Sequence, residues 1–258
     1  MLRLFTTFYE DIRPERMEEY TRSARRNLHN ESIDEVCVIA EGDVPSLPRG
    51  PKLKLRTSTG RPRYIDFFAW INEVAGVDDI SIIANTDISF DPTIGVLNRV
   101  IRPSECFAVA RWDGDRLFYR NDSQDWWAFR GGVKKINGGF ELGVPRCDTR
   151  LLHELRIAGY HVFNPAFSIK AQHAHAGARE EYELGPSTGY VQPPYEYLWP
   201  HNLWSLPRTL IHNSRRPSER VSWRFDRRRL AATAPFRVAS RIGRVSVGAL
   251  NVSIRRLR

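Results

Sequence analysis

The chain has 258 residues, of which 41% are hydrophobic, and a formal net charge of +9. This length can bury one substantial core with an appendage, and no apolar run reaches the roughly eighteen residues that a membrane-spanning helix needs. Cys37, Cys106 and Cys147 are an odd number without metal-type spacing, which favours a reducing cytoplasm over a disulfide framework. Residues 1–7 are too short for a secretory signal and are predicted to form the first strand.

The positive charge is concentrated at the carboxyl end. Residues 214–258 contain thirteen arginines against Glu219 and Asp226, a net charge of +11, which leaves −2 for residues 1–213 because the whole chain carries +9. We therefore predict a nearly neutral domain over 1–213 and a basic C-terminal extension over 214–258. Such an extension favours an anionic surface, phospholipid or nucleic acid. A solvated segment, or one paired with acidic groups of its own or of a partner subunit, is the alternative.

Strands and helices alternate along the first part of the chain. Residues 15–30 have helix-forming composition, and residues 35–40 form a largely apolar run that ends at Glu41, so the chain opens with a β-α-β unit. A loop rich in Pro, Gly and Ser follows, with a short strand at 53–55. Helical spacing of apolar residues then predicts a buried helix over Tyr64–Val74.

The alternation continues through the middle of the chain. Five further elements are predicted, in the order strand, helix, strand, helix and strand-like run: Ile80–Ala84, Thr93–Ile101, Cys106–Ala110, Cys147–Gly159 and a run from Phe163 to His173. The pattern predicts an α/β fold with a mainly parallel central sheet flanked by helices on both faces. Residues 196–213, which contain Tyr197, Trp199 and Trp204, are expected to pack back on the core.

Polar side chains follow the apolar strand in the middle of this pattern. The motif Asn85-Thr86-Asp87 places an amide and a carboxylate where α/β folds bind ligands, at the end of a buried strand. Further along, Asp148 lies at the start of a helix. His173 and His175 lie two apart, so on one extended strand they face the same side. Two carboxylates and a histidine are thereby offered to one cleft.

The order of these residues resembles the GT-A class of nucleotide-sugar glycosyltransferases, and the step from Asp148 to Gly159 is close to the family 2 pattern. A narrower bacterial group is similar through Ser123-Gln124-Asp125-Trp126, Gly143-Val144-Pro145 with Cys147-Asp148, and His173-Ala174-His175. The resemblance covers roughly residues 1–195. It departs at Asn85, where the first carboxylate of an Asp-x-Asp-type motif is an amide, and at Arg146-Cys147, where the usual Glu before the base is missing.

The resemblance implies a hexosyltransferase-type enzyme that moves a sugar from a nucleoside-diphosphate donor, with inversion, to a glycan or lipid-linked acceptor in bacterial polysaccharide assembly. A divalent metal, Mn²⁺ or Mg²⁺, would neutralise charge on the leaving diphosphate. Its implied ligands are Asp87, His173 and His175. Asp148 would be the general base that deprotonates the acceptor hydroxyl, and Asp125 is the next candidate for that role.

The resemblance and the strand ends also imply contacts with the donor and the sugar. Donor contacts are expected from Thr6, Phe8, Tyr9, Glu41, Arg63, Tyr64, Asn85 and Asp87. The sugar is expected at Asp125, whose carboxylate would fix hydroxyls, and beside Trp126, Trp127, Gly138 and Gly139, through indole stacking and close backbone approach.

Each of these residues also has an ordinary structural interpretation. Asn85 and Asp87 can form an Asx-type turn, Asp148 can be a helix N-cap, and Arg63 can be a solvated surface charge. A histidine pair is often surface or core material, and a pair of glycines often forms a plain turn. Adjacent strand residues point oppositely, so core packing competes with the sugar role for one of the two tryptophans.

Two other functional classes are open. A non-catalytic nucleotide-sugar or glycan-binding module would keep the fold and lose metal chemistry through Asn85; metal-dependent donor hydrolysis would separate it from an enzyme. A nucleic-acid-binding protein is suggested only by the basic extension, and it ranks last because the neutral body has no recognisable nucleic-acid motif. We expect a cytoplasmic protein, peripheral on the inner face of the cytoplasmic membrane if the extension binds anionic lipid.

Overall fold

A mainly parallel sheet lies at the centre of the computed structural model, which describes residues 1–174 and 189–203. The strands in these residues are β1 (Leu2–Phe8), β2 (Glu35–Glu41), β3 (Leu53–Ser58), β4 (Ile80–Ala84), β5 (Ile88–Phe90), β6 (Glu105–Val109), β7 (Trp112–Asp113), β8 (Arg116–Leu117), β9 (Trp126–Arg130), β10 (His161–Phe163) and β11 (Ala171–His173). The central sheet has the order β10-β6-β9-β4-β1-β2-β3. Within it, β9 runs antiparallel to its neighbours β4 and β6, and every other pair is parallel.

Helices cover both faces of this sheet. They are α1 (Pro14–His29), α2 (Tyr64–Val74), α3 (Leu97–Val100) and α4 (Cys147–Ile157), with a 3₁₀ turn over Pro92–Val96 before α3. Alternate strand residues point to opposite faces, so the sheet separates two apolar clusters. Leu4 and Ile82 pack with residues of α1 on one side, while Phe5 and Ile83 pack with residues of α2 and α4 on the other. The predicted fold class, an α/β domain with a mainly parallel sheet flanked by helices, is confirmed.

Two predicted elements differ from those observed. The helix expected over Thr93–Ile101 is a 3₁₀ turn followed by the short α3, and Gly95 inside the turn disfavours a continuous helix. The strand-like run from Phe163 is also interrupted, because Pro165 has no backbone N–H to donate to a strand ladder. Its two ends therefore join different sheets: β10 pairs with β6, and β11 belongs to a second sheet.

The second sheet has four strands in the order β5-β11-β7-β8. Only three residues, Asn85–Asp87, separate β4 from β5, so this strand-end motif links the central sheet to the second sheet. Strand β11 lies between β5 and β7, which places His173 opposite Ile88 on one side and Asp113 on the other. Strands β7 and β8 form a hairpin through Gly114 and Asp115, and Gly114 has a φ of 58°, a conformation that glycine adopts without strain.

The structure describes residues 189–203 near the carboxyl end. Residues 196–203, the described part of the predicted segment 196–213, pack on the domain as expected. Leu198, Trp199 and His201 are buried. Asn164 is fully buried and anchors the segment: its backbone N–H donates to His201 Nε2 at 2.9 Å, and its side-chain amide donates to the Leu198 carbonyl at 3.1 Å. Trp204 and the predicted basic extension over 214–258 lie outside the described residues. No helix in the described part of the chain is long and apolar enough to span a membrane.

Candidate functional site

Several polar side chains meet at one edge of the central sheet. The parallel strands β1, β2 and β4 all end at this edge, and the antiparallel β9 begins there, because Ala84 pairs with Trp126. The backbone N–H of Asn85 donates to the Asp125 carbonyl at 3.1 Å, and the Asn85 side-chain amide lies 3.5 Å from Asp125 Oδ1. The strand-end motif and the carboxylate of Asp125, forty residues apart, are therefore neighbours.

Two of the three predicted metal ligands are in direct contact. Nε2 of His173 lies 3.1 Å from Oδ2 of Asp87, although the residues are 86 positions apart. The same carboxylate oxygen accepts a hydrogen bond from Arg16 of α1 at 3.1 Å. Both side chains are largely buried, with exposed fractions of 13% for Asp87 and 9% for His173. The third predicted ligand, His175, lies outside the described residues.

A chain of alternating charges connects this pair to Asp125. Nδ1 of His173 lies 3.0 Å from Oδ1 of Asp113, and Nε of Arg111 donates to the same oxygen at 3.1 Å. The other arm of Arg111 donates to Oδ1 of Asp125 at 2.8 Å. The buried Arg111 guanidinium also stacks on the ring of Phe118. One continuous network thus joins the two halves of the site.

Sequence reasoning missed Arg16, Arg111 and Asp113. One local signal did exist: Trp112-Asp113-Gly114-Asp115 contains the Asp-Gly pair that is typical of tight hairpins, which would have placed Asp113 on a short strand. No comparable signal marks Arg16 or Arg111, because their partners are set by the topology of two sheets.

The network fixes the charges of its members. Burial opposes ionisation of Asp87, but hydrogen bonds and charges of His173 and Arg16 outweigh it and lower the pKa of Asp87 to about 2. Burial likewise disfavours a charged His173, yet the bonds to Asp113 and Asp87 raise the pKa of His173 to about 9. Without a bound cation, the two form an ion pair at neutral pH.

A divalent cation fits in part at the corner of the site where Asp87 and His173 meet. Among the described residues, no group of three or more His, Cys, Asp or Glu is arranged to hold a metal ion. Asp87 and His173 nevertheless supply an oxygen and a nitrogen at one point, and Oδ1 of Asn85 is buried without a hydrogen-bond partner in the described chain. Mg²⁺ and its relatives are often held by one or two carboxylates together with substrate phosphates. Asp87 and His173 are the residues that would hold such an ion.

The predicted base, Asp148, lies beside Asp125. It is the second residue of α4, and its carboxylate accepts backbone hydrogen bonds from Thr149 at 2.8 Å and from Gln124 at 3.2 Å. The N-cap position belongs to Arg146, at a φ of 70°, so Asp148 is not the N-cap. Burial raises the pKa of Asp148 to about 7 despite these bonds, with the negative charge of Asp125 as a further contribution. A carboxyl group with this pKa can accept a proton near neutral pH.

Asp125 is the more deeply buried of the two carboxylates. Its side chain is 6% exposed, and Oδ2 has no hydrogen-bond partner among the described residues, while Oδ1 is held by Arg111. A buried acceptor without a partner is costly. An incoming hydroxyl group can satisfy it.

The residues predicted to bind the donor fall into two groups. Thr6, Tyr9 and Glu41 are partly exposed at the strand ends, and the guanidinium of Arg61 lies over the ring of Tyr9 and 3.9 Å from Glu41. Burial raises the pKa of Glu41, and its Oε1 has no hydrogen-bond partner in the described part of the chain. Arg63 is exposed at the N-cap of α2 and forms a capping box with Asp66.

Phe8 and Tyr64 differ from their predicted role. Both side chains are buried in the core, with exposed fractions of 1% and 0%. The Tyr64 hydroxyl donates to Sγ of Cys147 at 3.5 Å, inside the cluster between α2 and α4. Neither side chain is offered to a donor in this structure.

The residues predicted to contact the sugar also serve the core. Trp126 and Trp127 are both fully buried, packing edge-on against Phe90 and Tyr64 on opposite faces of the sheet. Neither indole has a free face for a sugar to stack on, because helices and loops cover both sides.

Gly138 also serves the packing of the domain, whereas Gly139 does not. A Cβ on Gly138 would come within 2.8 Å of the Ile65 backbone nitrogen, so this glycine permits close approach of α2, whose Ile65 N–H donates to its carbonyl. Gly139 is exposed and has no such constraint.

No family model matches the chain, and no curated protein matches it. Among solved structures, the fold is similar to a mannosyltransferase from Pyrobaculum calidifontis in complex with GDP-Man and Mn²⁺, at 15% identity and a TM-score of 0.43, over 67% of this chain and 56% of that one. It is also similar to the galactosyltransferase LgtC in complex with donor and acceptor sugar analogues, at 11% identity and a TM-score of 0.38, over 87% and 97% of the two chains. A cytidylyltransferase from Francisella tularensis is a further neighbour, at 12% identity and a TM-score of 0.34, over 50% and 73%.

All three neighbours are at most 15% identical to this chain. The chain spans little more than half the length of the mannosyltransferase. Their TM-scores lie below 0.5, so no conclusion about this chain is based on them, and the argument about activity rests on its own side chains.

Proposed function

We propose that the protein is a nucleotide-sugar glycosyltransferase that inverts the sugar carbon and depends on a divalent metal. One observation carries the proposal: Asp87 and His173 meet at the sheet edge where Asp148, a carboxyl group with a pKa of about 7, also lies. Asn85 and Asp125 connect the two places. The site thereby combines a cation-binding corner with a proton acceptor.

The residues support a direct displacement. The N–H groups of Gln124 and Thr149 orient Asp148. Asp148 takes the proton of the acceptor hydroxyl while the oxygen of that hydroxyl bonds to the sugar carbon. The electron pair of the bond that breaks leaves with the diphosphate oxygen. Oδ2 of Asp125 accepts a hydroxyl of the sugar and holds it for the attack. Positive charge develops at the sugar carbon during transfer, and the nearby carboxylates stabilise it.

Negative charge develops at the other end of the reaction, on the leaving diphosphate. A divalent cation held by Asp87 and His173, when bound, would neutralise it. Arg16 lies beside the same carboxylate and can contribute a second positive charge.

Replacement of Asp87 with Ala tests the metal corner. We expect the Mn²⁺-dependent part of nucleoside-diphosphate affinity to fall by at least about tenfold, since even outer-shell changes at metal sites cost this much. Isothermal titration calorimetry with a nucleoside diphosphate, with and without Mn²⁺, measures it, and circular dichroism reports the fold. Asp122→Ala is the matched control, because Asp122 is similarly buried and also pairs with an arginine. Unchanged Mn²⁺-dependent affinity in a folded Asp87→Ala protein would contradict the assignment.

A non-catalytic sugar- or nucleotide-binding module is the second candidate. The amide of Asn85 in place of a carboxylate favours it, since it leaves fewer charged metal ligands. Wild-type protein that binds nucleotide equally with and without Mn²⁺, and never hydrolyses or transfers the donor, would support this module over the enzyme.

We further propose that the basic extension, residues 214–258, binds an anionic membrane and brings the site to a lipid-linked acceptor. The proposal rests on thirteen arginines with two acidic residues, each basic residue near the surface contributing on the order of 1 kcal/mol. Full-length protein should sediment with anionic liposomes at low salt and less so at high salt. Protein lacking 214–258 should stay in the supernatant; equal sedimentation of both would exclude this role.

A further inference from the structure

Asp113 lies directly behind the predicted metal ligand His173. Strands β7 and β11 pair in parallel with Asp113 opposite His173, and Oδ1 of Asp113 lies 3.0 Å from Nδ1 of the imidazole. The opposite ring nitrogen, Nε2, faces Asp87 at 3.1 Å. The ring is thereby held at both nitrogens, by Asp113 of β7 and by Asp87, the residue before β5.

Asp113 is itself held from two directions. The hairpin between β7 and β8 fixes its backbone, and Nε of Arg111 donates to the oxygen that faces His173. Its side chain is 42% exposed, so it contributes little to the core. The polar contacts of its carboxylate are thus the imidazole of His173 and the guanidinium of Arg111, both at Oδ1.

The position of Asp87, the predicted metal ligand, selects Nε2 as the nitrogen for a cation. An ionised carboxylate only accepts hydrogen bonds, so the nitrogen that faces Asp113 carries a hydrogen. Nε2 faces the ionised carboxylate of Asp87, so without a cation it carries a hydrogen as well. A cation at this position would replace the hydrogen on Nε2 and leave the N–H of Nδ1 donating to Asp113. Carboxylates in this position orient metal-bound histidines in many proteins and raise their basicity.

We propose that Asp113 is a positioning residue that orients His173 toward a divalent cation shared with Asp87. This inference rests on the proposed function, because it assumes that the cation binds at that corner. Asp113 is neither a metal ligand nor a catalytic residue, but the affinity for the cation depends on it.

Electron paramagnetic resonance with Mn²⁺ alone, on the full chain, tests the inference. The signal of free Mn²⁺ gives the affinity, and nitrogen modulation of the electron spin echo reports whether an imidazole is coordinated. We expect Asp113→Ala to weaken Mn²⁺ binding by roughly 10 to 100-fold and to reduce the nitrogen modulation of the ion that still binds. Asp113→Asn keeps an oxygen that can accept from Nδ1 and should retain most of the modulation.

The Asn variant separates positioning from charge. If Asp113 acted only through its negative charge, Asn and Ala would weaken binding equally and leave the modulation intact, which would overturn the inference. Asp66→Asn is the matched control: its side chain is 41% exposed and pairs with an arginine, but it does not contact His173. This control should bind Mn²⁺ like the wild type.

Failure of the inference is distinguishable from failure of the proposed function. Wild-type protein that binds Mn²⁺ without nitrogen modulation, or Asp113→Ala with wild-type affinity, overturns the positioning role while metal-dependent donor hydrolysis persists. Wild-type protein that neither binds Mn²⁺ nor hydrolyses donor overturns both.

Discussion

Replacing Asp148 with Asn should lower sugar transfer by roughly 10² to 10⁴-fold while donor binding survives, because the substitution keeps the size of the side chain and removes its basicity. Transfer is measured with saturating donor, and donor binding by calorimetry. The control is Asp122→Asn, a neighbouring carboxylate whose charge contributes to the pKa of Asp148 and to which no role in the reaction is assigned. Near wild-type transfer by a folded Asp148→Asn protein would place the base elsewhere, with Asp125 as the next candidate.

The same carboxyl group predicts a rising pH profile. Asp148 must be ionised to accept a proton, and its pKa of about 7 lies far above its ordinary value of 3.8. Wild-type kcat/KM should therefore increase with pH through about 7 and level off above it. Residual transfer by Asp148→Asn should lack this limb. A wild-type profile that is flat between about pH 5.5 and 8.5 would contradict the role of Asp148.

The ionised form of Asp148, which accepts the proton, should lower the free energy of unfolding. Its folded-state pKa is raised, so the folded protein binds the proton more tightly than the unfolded chain, and stability falls as the pH rises from about 4 to about 7. The difference between 3.8 and about 7 corresponds to at most about 4 kcal/mol. Asp148→Asn should therefore unfold at higher denaturant concentration than the wild type at pH 8, with the gap narrowing toward pH 4. Asp122→Asn should show no such gain, because Arg120 lowers the pKa of Asp122.

Local patterns in the sequence were sufficient for much of the fold. The apolar spacing over Tyr64–Val74 predicts the observed bounds of α2, and the all-buried run Ile80–Ala84 coincides with β4. Such elements are predictable because their apolar faces are encoded by neighbouring residues. The antiparallel direction of β9 is not predictable in this way, because the direction of a strand depends on the path of the whole chain between strands.

The candidate site also has a part that is predictable from local sequence and a part that depends on the tertiary fold. Asp87 and His173 could be placed at strand ends from the sequence, but their contact with Arg16 and Asp113 depends on how α1 and two sheets meet. Strand alternation predicts that Trp126 and Trp127 point to opposite faces of the sheet, which would leave one of them for the sugar. Because a mainly parallel sheet is covered on both faces, each face is a core, and this physical rule places Trp126 and Trp127 away from a sugar.

Removing the guanidinium that joins the two halves of the site should have the largest effect on stability. Arg111 is the cationic partner of Asp125, whose side chain is 6% exposed, and their contact is 2.8 Å long. Breaking a buried ion pair from one side leaves an uncompensated charge, which costs about 3 to 5 kcal/mol. Arg111→Met should lower the free energy of unfolding by this amount, measured by urea denaturation at pH 7.5. The methionine keeps much of the apolar stem that packs on Phe118.

A matched variant and a rescue define what would contradict this expectation. Arg120 also lies over Phe118 and pairs with an aspartate, but its side chain is 55% exposed, so Arg120→Met should cost no more than about 1 kcal/mol. Adding Asp125→Leu to Arg111→Met removes the unpaired charge and should recover most of the lost stability, since apolar replacement of a whole buried pair is often neutral. Equal losses for the two single arginine variants, or no recovery in the double variant, would mean that Arg111 acts through packing. Recovery of stability together with loss of transfer would mean that the buried pair serves the reaction, because an apolar pair can replace it without a large loss of stability.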